Sequence, residues 1–202
     1  AFALIWFLII ILLCNTVFSR ALAYGSMVLL DRPPNFSDPV DTLFVPATDE
    51  SLTALKLDQI EYPQYGSVMG QIEIESIGVA TKMMYGDNNK LLKKGAGMYI
   101  GSRIPGYGGT CLVSGHNTYP FKNLKNIQIG DIIKVTTTYG VYQYEVYKTD
   151  VRPDSDKTAY DLNTDEQLLV LYTCFWVNTP IGNVKERFFA YSRMVSGPVL
   201  IH

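Results

Sequence analysis

Short runs of strand-forming residues, separated by glycine and proline, constrain this chain more than any other feature. Gln71-Ile72-Glu73-Ile74 alternates polar with apolar side chains, which is the period of a strand with one buried face. Residues 131–136 and 141–147 flank Thr138-Tyr139-Gly140 and predict a hairpin. Fourteen tyrosines and nine phenylalanines also favour β structure, and few stretches keep a helical period. The pattern predicts a mostly β fold, either a closed barrel or a sandwich, with only short helices.

The N-terminal segment has a different character. Residues 1–19 carry no charge, residues 1–13 are apolar throughout, and Arg20 ends the run. About 20 helical residues are needed to span the hydrocarbon core of a bilayer, so the run is just long enough. We therefore predict a transmembrane anchor over residues 1–20. A cleaved signal peptide is the alternative, because Ala21-Leu22-Ala23 has the small-x-small form of a cleavage site.

Proline content separates this anchor from the strand-rich part of the chain. Pro33-Pro34 stops any continuing helix, and Pro39 and Pro46 follow among scattered acidic residues. Residues 21–65 are predicted to form an extracellular connector, part of which could fold over a site as a lid. The β domain is predicted over residues 66–202.

Charge and cysteine content exclude several classes of protein. A net charge of −2 argues against nucleic-acid binding, which normally requires a basic face. Three cysteines do not make a disulfide framework. No CxxC or HxxxH spacing occurs, and no acidic cluster indicates calcium, so we predict neither metal nor cofactor.

Three residues at the edges of strand-like runs have the chemistry of a thiol acyl-transfer site. Cys174 ends the run of residues 168–174, His116 follows residues 110–115, and Arg187 opens residues 187–191. A thiol needs a neighbouring group to become a nucleophile, and an imidazole can relay its proton. An arginine can stabilise an oxyanion or hold a substrate backbone.

Structural roles compete with each of these assignments. A cysteine at a strand end is often a small buried hydrophobe, and a histidine after a glycine is often a loop residue. Cys111 is better explained by core packing. Arg193 shares strand parity with Arg187 and is the alternative candidate for the arginine role. Thr173 is assigned to substrate binding, with plain strand propensity as its alternative.

Five blocks, in order and sensibly spaced from residue 66 to residue 195, resemble the motifs of sortases. They are Gln71-Ile72-Glu73-Ile74 with Ile77-Gly78-Val79, residues 95–116 ending in Ser114-Gly115-His116, Phe121-Lys122-Asn123-Leu124 with Gly130-Asp131, Leu171-Tyr172-Thr173-Cys174, and Arg187-Phe188-Phe189-Ala190. The resemblance implies a sortase-type barrel of about eight strands. It also implies Cys174 as nucleophile, His116 as general acid and base, and Arg187 as stabiliser of substrate and oxyanion.

Family resemblance also implies a substrate and a location. Sortases cleave sorting signals resembling Leu-Pro-x-Thr-Gly (LPxTG) after the threonine, and an amine of a cell-wall precursor (lipid II) or of a pilin lysine resolves the thioester. Members are anchored in the cell membrane of Gram-positive bacteria by a single pass, with the catalytic domain extracellular. A thiol hydrolase and a catalytically silent binding module remain the alternatives to a transpeptidase.

The subclass prediction depends on the lid motif before the barrel and on the spacing of the candidate site residues within it. Pilin-polymerising class C sortases commonly carry a lid with an Asp-Pro-aromatic motif, whereas here Asp38-Pro39 is followed by Val40. The spacing around His116 and from Cys174 to Arg187 resembles class D more closely. Class D is therefore the first expectation, and class C the second.

Overall fold

The computed structural model describes residues 54–175 and 185–201. This part of the chain contains ten strands, a one-turn helix α1 (Asn89–Leu92) and three 3-10 helices (Leu57–Gln59, Glu75–Ile77 and Leu124–Asn126). The strands are β1 (Ala54–Lys56), β2 (Val68–Ile74), β3 (Val79–Tyr85), β4 (Ala96–Met98), β5 (Gly109–Gly115), β6 (Ile132–Thr137), β7 (Gly140–Pro153), β8 (Gln167–Phe175), β9 (Glu186–Ser196) and β10 (Val199–Ile201).

Eight of these strands close into a barrel in the order β2-β3-β4-β5-β8-β9-β7-β6, with β6 pairing back onto β2. The predicted eight-stranded barrel is thereby confirmed, as is the hairpin, in which Thr137 pairs with Gly140 across the β6–β7 turn. Outside the barrel, β1 pairs in parallel with β10, so part of the predicted connector lies in a two-stranded sheet.

Strand direction brings three chain segments to one edge of the barrel. Strands β5 and β8 are parallel, so both reach this edge at their C-terminal ends. Strand β9 is antiparallel to β8, so it starts where β8 ends. Residues far apart in sequence, at the end of β5, the end of β8 and the start of β9, are therefore neighbours.

Alternation along these strands separates an inner from an outer face. On β8, Leu169 and Leu171 pack in the main interior cluster, whereas Val170 belongs to a second cluster on the outside. This outer cluster also contains Leu112 of β5 and Phe189 of β9. Each fully buried aliphatic or aromatic side chain contributes about 1.5–3 kcal/mol, so both faces stabilise the three-strand unit.

The segment between β7 and β8, residues 154–166, lies across this outer face. Ala159 is buried in the outer cluster, and Tyr160 and Leu162 pack against it. The hydroxyl of Tyr191 donates to the carbonyl oxygen of Ala159 at 2.7 Å. The same strands that carry the candidate site thus also hold this loop in place.

The predicted anchor at residues 1–20 and the proline-rich part of the connector lie outside the described residues. Within the described ranges, no helix is long and apolar enough to cross a membrane.

Candidate active site

The barrel edge formed by β5, β8 and β9 brings His116, Cys174 and Arg187 together. Cys174 is the direct pairing partner of Arg187 across β8 and β9. Gly115 pairs with Thr173 across β5 and β8, so His116 and Cys174 are the next residues along two parallel strands. Neighbouring strands lie about 4.8 Å apart, which places the three residues in one row. By strand alternation the side chains of Cys174 and Arg187 share the outer face, and His116 directly follows the end of β5 beside them.

The two described cysteines lie in opposite environments. Cys174 is a partly exposed free thiol at the end of β8. Cys111 is a buried free thiol in the interior cluster, where burial raises its pKa to about 12. A thiol reacts through its thiolate, so Cys111 is chemically inert at neutral pH. The expectation that Cys111 is a core residue is confirmed.

The backbone of His116 is fixed by the chain that follows it. Its carbonyl oxygen accepts a hydrogen bond from the Phe121 N–H at 3.0 Å. The Phe121 side chain is fully buried and lies against Gly115, where an added Cβ would come within 2.5 Å of the ring. A glycine before the histidine therefore leaves room for the aromatic ring that anchors the turn.

Burial and charge both act on the imidazole. The pKa of His116 is lowered from its ordinary value, first by partial burial and second by the positive charge of Lys93, which follows α1. Both effects disfavour the imidazolium form. At neutral pH the imidazole is therefore mainly neutral and able to accept a proton.

Arg187 is held by two contacts next to Cys174. Its Nη1 donates to the carbonyl oxygen of Glu186 at 3.0 Å, and its Nη2 lies 3.7 Å from Oδ2 of Asp154. The side chain is 24% exposed, so the guanidinium is mostly shielded from solvent.

Arg193, the alternative arginine, lies on the same face but far from the thiol. It pairs with Leu168, six residues before Cys174 on β8, or about 20 Å at 3.3 Å per residue. Its Nη2 forms an ion pair with Glu166 at 3.1 Å, and its guanidinium lies 5.0 Å from the ring centroid of Tyr147. Position along the strand thus separates the two arginines.

Thr173 links the two strands that carry the thiol and the imidazole. Its side chain is buried, and its hydroxyl donates to the carbonyl oxygen of Gly115 at 2.8 Å. This bond fixes the register immediately before His116 and Cys174. The substrate-binding role assigned to Thr173 from the sequence stays a prediction.

Aromatic rings extend the outer face away from Cys174. Tyr172 stacks on Phe189 with ring centroids 5.4 Å apart, and Phe189 stacks on Tyr191 at 5.9 Å. Burial raises the pKa of the Tyr172 hydroxyl, which lies near Ser114. Sequence reasoning did not single out Tyr172, although it precedes Cys174 by two residues and so shares its face.

Asp154 and Lys93 were also missed, and for a different reason. Asp154 reaches Arg187 through the pairing of β7 with β9, and the charge of Lys93, just after α1, acts on His116 at a distance. Neither contact has a signature in local sequence. In the described part of the chain, no group of three or more His, Cys, Asp or Glu side chains is arranged to hold a metal ion.

A closed barrel that aligns a cysteine, a histidine and an arginine at three strand ends has the groups of a thiol-dependent acyl-transfer enzyme. A family model described as Sortase domain matches residues 72–195, more than half of the chain. The chain therefore belongs to the sortase family and is a cysteine transpeptidase.

Individual relatives agree with this assignment. Sortase D of Bacillus subtilis (strain 168) is 28% identical over 134 residues, covering 66% of this chain and 67% of the relative. A solved structure of a Clostridium perfringens Sortase D5 transpeptidase is 28% identical, with a TM-score of 0.59 and coverage of 67% of this chain and 83% of that one. Sortase C from Clostridium perfringens SM101 is 25% identical, with a TM-score of 0.58 and coverage of 66% and 73%. The expectation of a class D-like sortase fits these relatives.

Proposed function

We propose that this sortase cleaves an LPxTG-like sorting signal between threonine and glycine and transfers the acyl group to an amine of a cell-wall precursor. Cys174 forms the thioester, His116 moves the proton, and Arg187 stabilises the oxyanion. The observation that carries the proposal is the strand register, in which Cys174 pairs with Arg187 while His116 and Cys174 extend the parallel Gly115–Thr173 pair.

In the first step the neutral imidazole of His116 takes the proton of the Cys174 thiol. The thiolate attacks the threonine carbonyl carbon, and the electron pair of the carbonyl moves onto oxygen. Arg187 donates hydrogen bonds to this oxyanion. When the intermediate collapses, the C–N bond breaks, the His116 imidazolium protonates the leaving glycine amine, and a thioester remains on Cys174.

In the second step an acceptor amine attacks the thioester carbonyl. His116 is neutral again after the first step, so it can accept the proton that the amine loses as the new amide bond forms. Collapse of the second intermediate releases the Cys174 sulfur, which recovers its proton from the imidazolium. The lowered pKa of His116 supports this role because it favours the neutral imidazole with which each half-reaction starts.

A second candidate is pilin polymerisation, in which a pilin lysine supplies the amine. Its support is the similarity to sortase C of Clostridium perfringens SM101. The sequence favours it less, because Asp38-Pro39-Val40 lacks the aromatic residue of the class C lid motif. The two candidates share Cys174, His116 and Arg187 and differ only in the acceptor.

The location of the enzyme is part of the same proposal. Residues 1–20 form a transmembrane anchor, residues 21–65 form an extracellular connector or lid, and residues 66–202 form the catalytic domain outside the cell membrane. The uncharged run of residues 1–19 supports the anchor. Membrane fractionation followed by protease treatment of intact cells tests this arrangement, since an external domain is digested while a cytoplasmic control protein survives.

Mass spectrometry of the full chain in detergent tests the reaction. The enzyme is incubated with a library of Leu-Pro-x-Thr-Gly-type peptides, alone or with diaminopimelate-type, glycine-type or pilin-derived lysine amines. We expect an acyl adduct on Cys174 that transfers to a diaminopimelate- or glycine-type amine. Cys174→Ala should give no adduct, and Cys111→Ala is the matched control that should still acylate.

Three other outcomes would replace the proposal. Transfer only to the pilin lysine would establish the pilin-polymerising alternative. Acylation followed by hydrolysis that no amine accelerates would indicate a thiol hydrolase. Peptide binding that survives Cys174→Ala, with no adduct under any condition, would indicate a binding module.

A further inference from the structure

Two arginines face each other beside the candidate thiol. Arg152 of β7 is the direct pairing partner of Arg187 of β9, and both project from the outer face. Like charges directly opposite each other across two strands destabilise the pair. The arrangement therefore requires acidic groups that keep the two guanidinium groups apart and decide where each one points.

The turn after β7 supplies a separate carboxylate for each arginine. Arg152 donates from Nε and Nη2 to Oδ2 of Asp156, both at 2.7 Å, and its Nη1 lies 3.5 Å from Asp150. Asp156 is itself held by Thr158, whose backbone N–H and hydroxyl donate to its Oδ1 at 2.8 and 2.7 Å. Arg152 is thus directed away from Arg187.

Asp154 lies beside the other arginine, Arg187. Its Oδ2 lies 3.7 Å from Nη2 of Arg187. Its backbone N–H donates to the carbonyl oxygen of Lys185 at 2.6 Å, which fastens Asp154 to the residues that lead into β9. The carboxylate therefore lies beside Arg187 because of backbone bonding as well as charge attraction.

Two contacts contribute to the orientation of the Arg187 guanidinium. Nη1 donates to the carbonyl oxygen of Glu186 at 3.0 Å, and Nη2 forms an ion pair with Asp154 at 3.7 Å, which is longer than a hydrogen bond. A guanidinium is a rigid planar fork, so contacts at two of its nitrogens restrict rotation about the side chain. Loss of the Asp154 ion pair therefore removes one restraint on the orientation of the guanidinium beside Cys174.

We propose that Asp154 is a positioning residue that holds the Arg187 guanidinium beside Cys174, while the Arg152–Asp156 pair keeps the neighbouring arginine from competing for it. This inference rests on the proposed role of Arg187 in acyl transfer. Asp154 touches neither the substrate nor the thiol in this scheme and acts only through Arg187.

Steady-state kinetics of the full chain with a sorting peptide and an acceptor amine test the inference. An interaction present only in the transition state affects kcat and not KM. We expect Asp154→Asn to lower kcat about threefold, as loss of a partly exposed ion pair would, with little change in KM. Asp154→Glu should recover part of the loss. Glu166→Gln is the matched control, because it removes the carboxylate that pairs with Arg193, the other arginine on the same face of β9.

A double-mutant cycle separates positioning from a general structural effect. If Asp154 acts through Arg187, Asp154→Asn should add no further loss in an Arg187→Ala background. Independent losses that multiply, or equal losses from Asp154→Asn and Glu166→Gln, would overturn the inference. If Arg187→Ala lowers turnover while Asp154→Asn does not, the proposed function stands and only the positioning role fails.

An NMR measurement that does not depend on enzymatic activity completes the test. The Nε–Hε resonance of Arg187, assigned by its loss in Arg187→Lys, reports how tightly the guanidinium is held. We expect Asp154→Asn to increase its solvent exchange and Glu166→Gln to leave it unchanged. An unchanged Arg187 resonance in Asp154→Asn would overturn the inference even if no sorting peptide is a substrate.

Discussion

The interior of the barrel and its outer edge at β5, β8 and β9 give the same residue type opposite chemistry. Cys111 points inward and is buried, so its thiol has a pKa of about 12 and serves as packing. Cys174 is on the outer face at a strand end, partly exposed, and pairs with Arg187. Face and position along a strand, rather than residue type, therefore decide which thiol can react.

Along the outer face, distance from the barrel edge distinguishes the two candidate arginines. Arg187 lies at the edge with Cys174, whereas Arg193 lies further along β9, paired with Glu166 and stacked over Tyr147. Both arginines have the same parity, so parity alone does not identify the functional one. The row of His116, Cys174 and Arg187 is a property of the edge where β5, β8 and β9 meet.

The largest effect is expected from replacing each of the two cysteines by alanine in turn. Cys174→Ala removes the proposed nucleophile and should lower transpeptidation by at least about a thousandfold with the fold intact. Cys111→Ala should cost about 1 kcal/mol of unfolding free energy and leave most of the activity. Product formation by chromatography and thermal unfolding of both variants measure the contrast. Comparable activity losses from the two variants would break the distinction between interior and edge.

The arginine pair tests the distinction along the outer face. Arg187→Ala should lower kcat by about a hundredfold, because it removes a donor to the developing oxyanion. Arg193→Ala breaks an exposed ion pair with Glu166 and should change stability by less than about 1 kcal/mol, with near-normal turnover. Rates of both variants at saturating peptide provide the measurement. Similar losses would mean that the assignment to Arg187 is wrong.

Local sequence was enough to predict the class of fold and the edge residues. Alternation in Gln71-Ile72-Glu73-Ile74 and the turn at Thr138-Tyr139-Gly140 correspond to β2 and the β6–β7 hairpin. The core role of Cys111 also followed from its apolar neighbours and is confirmed. These features are readable because strand period and turn chemistry depend on neighbouring residues only.

The supporting contacts were not readable because they depend on non-local pairing. Asp154 meets Arg187 only after β7 pairs with β9, and the charge of Lys93 acts on His116 from a different loop. Closure of the barrel, rather than a sandwich, likewise depends on β6 pairing with β2. The sortase resemblance indicated the barrel in advance, whereas the residue pattern alone left both architectures open.

A glycine pair tests how the interior supports the edge. Gly115→Ala would place a Cβ 2.5 Å from the ring of Phe121, whereas the same change at Gly108 meets only the Asp165 carbonyl oxygen at 3.7 Å. We expect Gly115→Ala to cost about 1–3 kcal/mol of unfolding free energy through overpacking. It should also lower turnover, because the displaced Phe121 holds the carbonyl of His116. Gly108→Ala should be near neutral by both thermal unfolding and rate, and equal effects would contradict the packing argument.

The smallest effect is expected from removing the positive charge of Lys93, which lies outside β5, β8 and β9. Burial and then Lys93 lower the pKa of His116, so Lys93→Met should raise that pKa toward its ordinary value. Lys94→Met is the matched control, because it removes an adjacent exposed charge that has no assigned effect on His116. The chain has only two histidines, His116 and His202, so proton NMR titration can follow each imidazole directly.

The sign of the activity change follows from the form of His116 that starts the reaction. If the neutral imidazole takes the Cys174 proton, activity falls as pH drops through the His116 titration. A raised pKa makes that loss begin at higher pH in Lys93→Met than in the parent or in Lys94→Met. Because Lys93 is exposed, added salt should move the parent toward Lys93→Met. The NMR titration reports the His116 imidazole directly, so it rather than the rate profile decides the assignment. A His116 titration that Lys93→Met leaves unchanged would show that burial alone lowers the pKa.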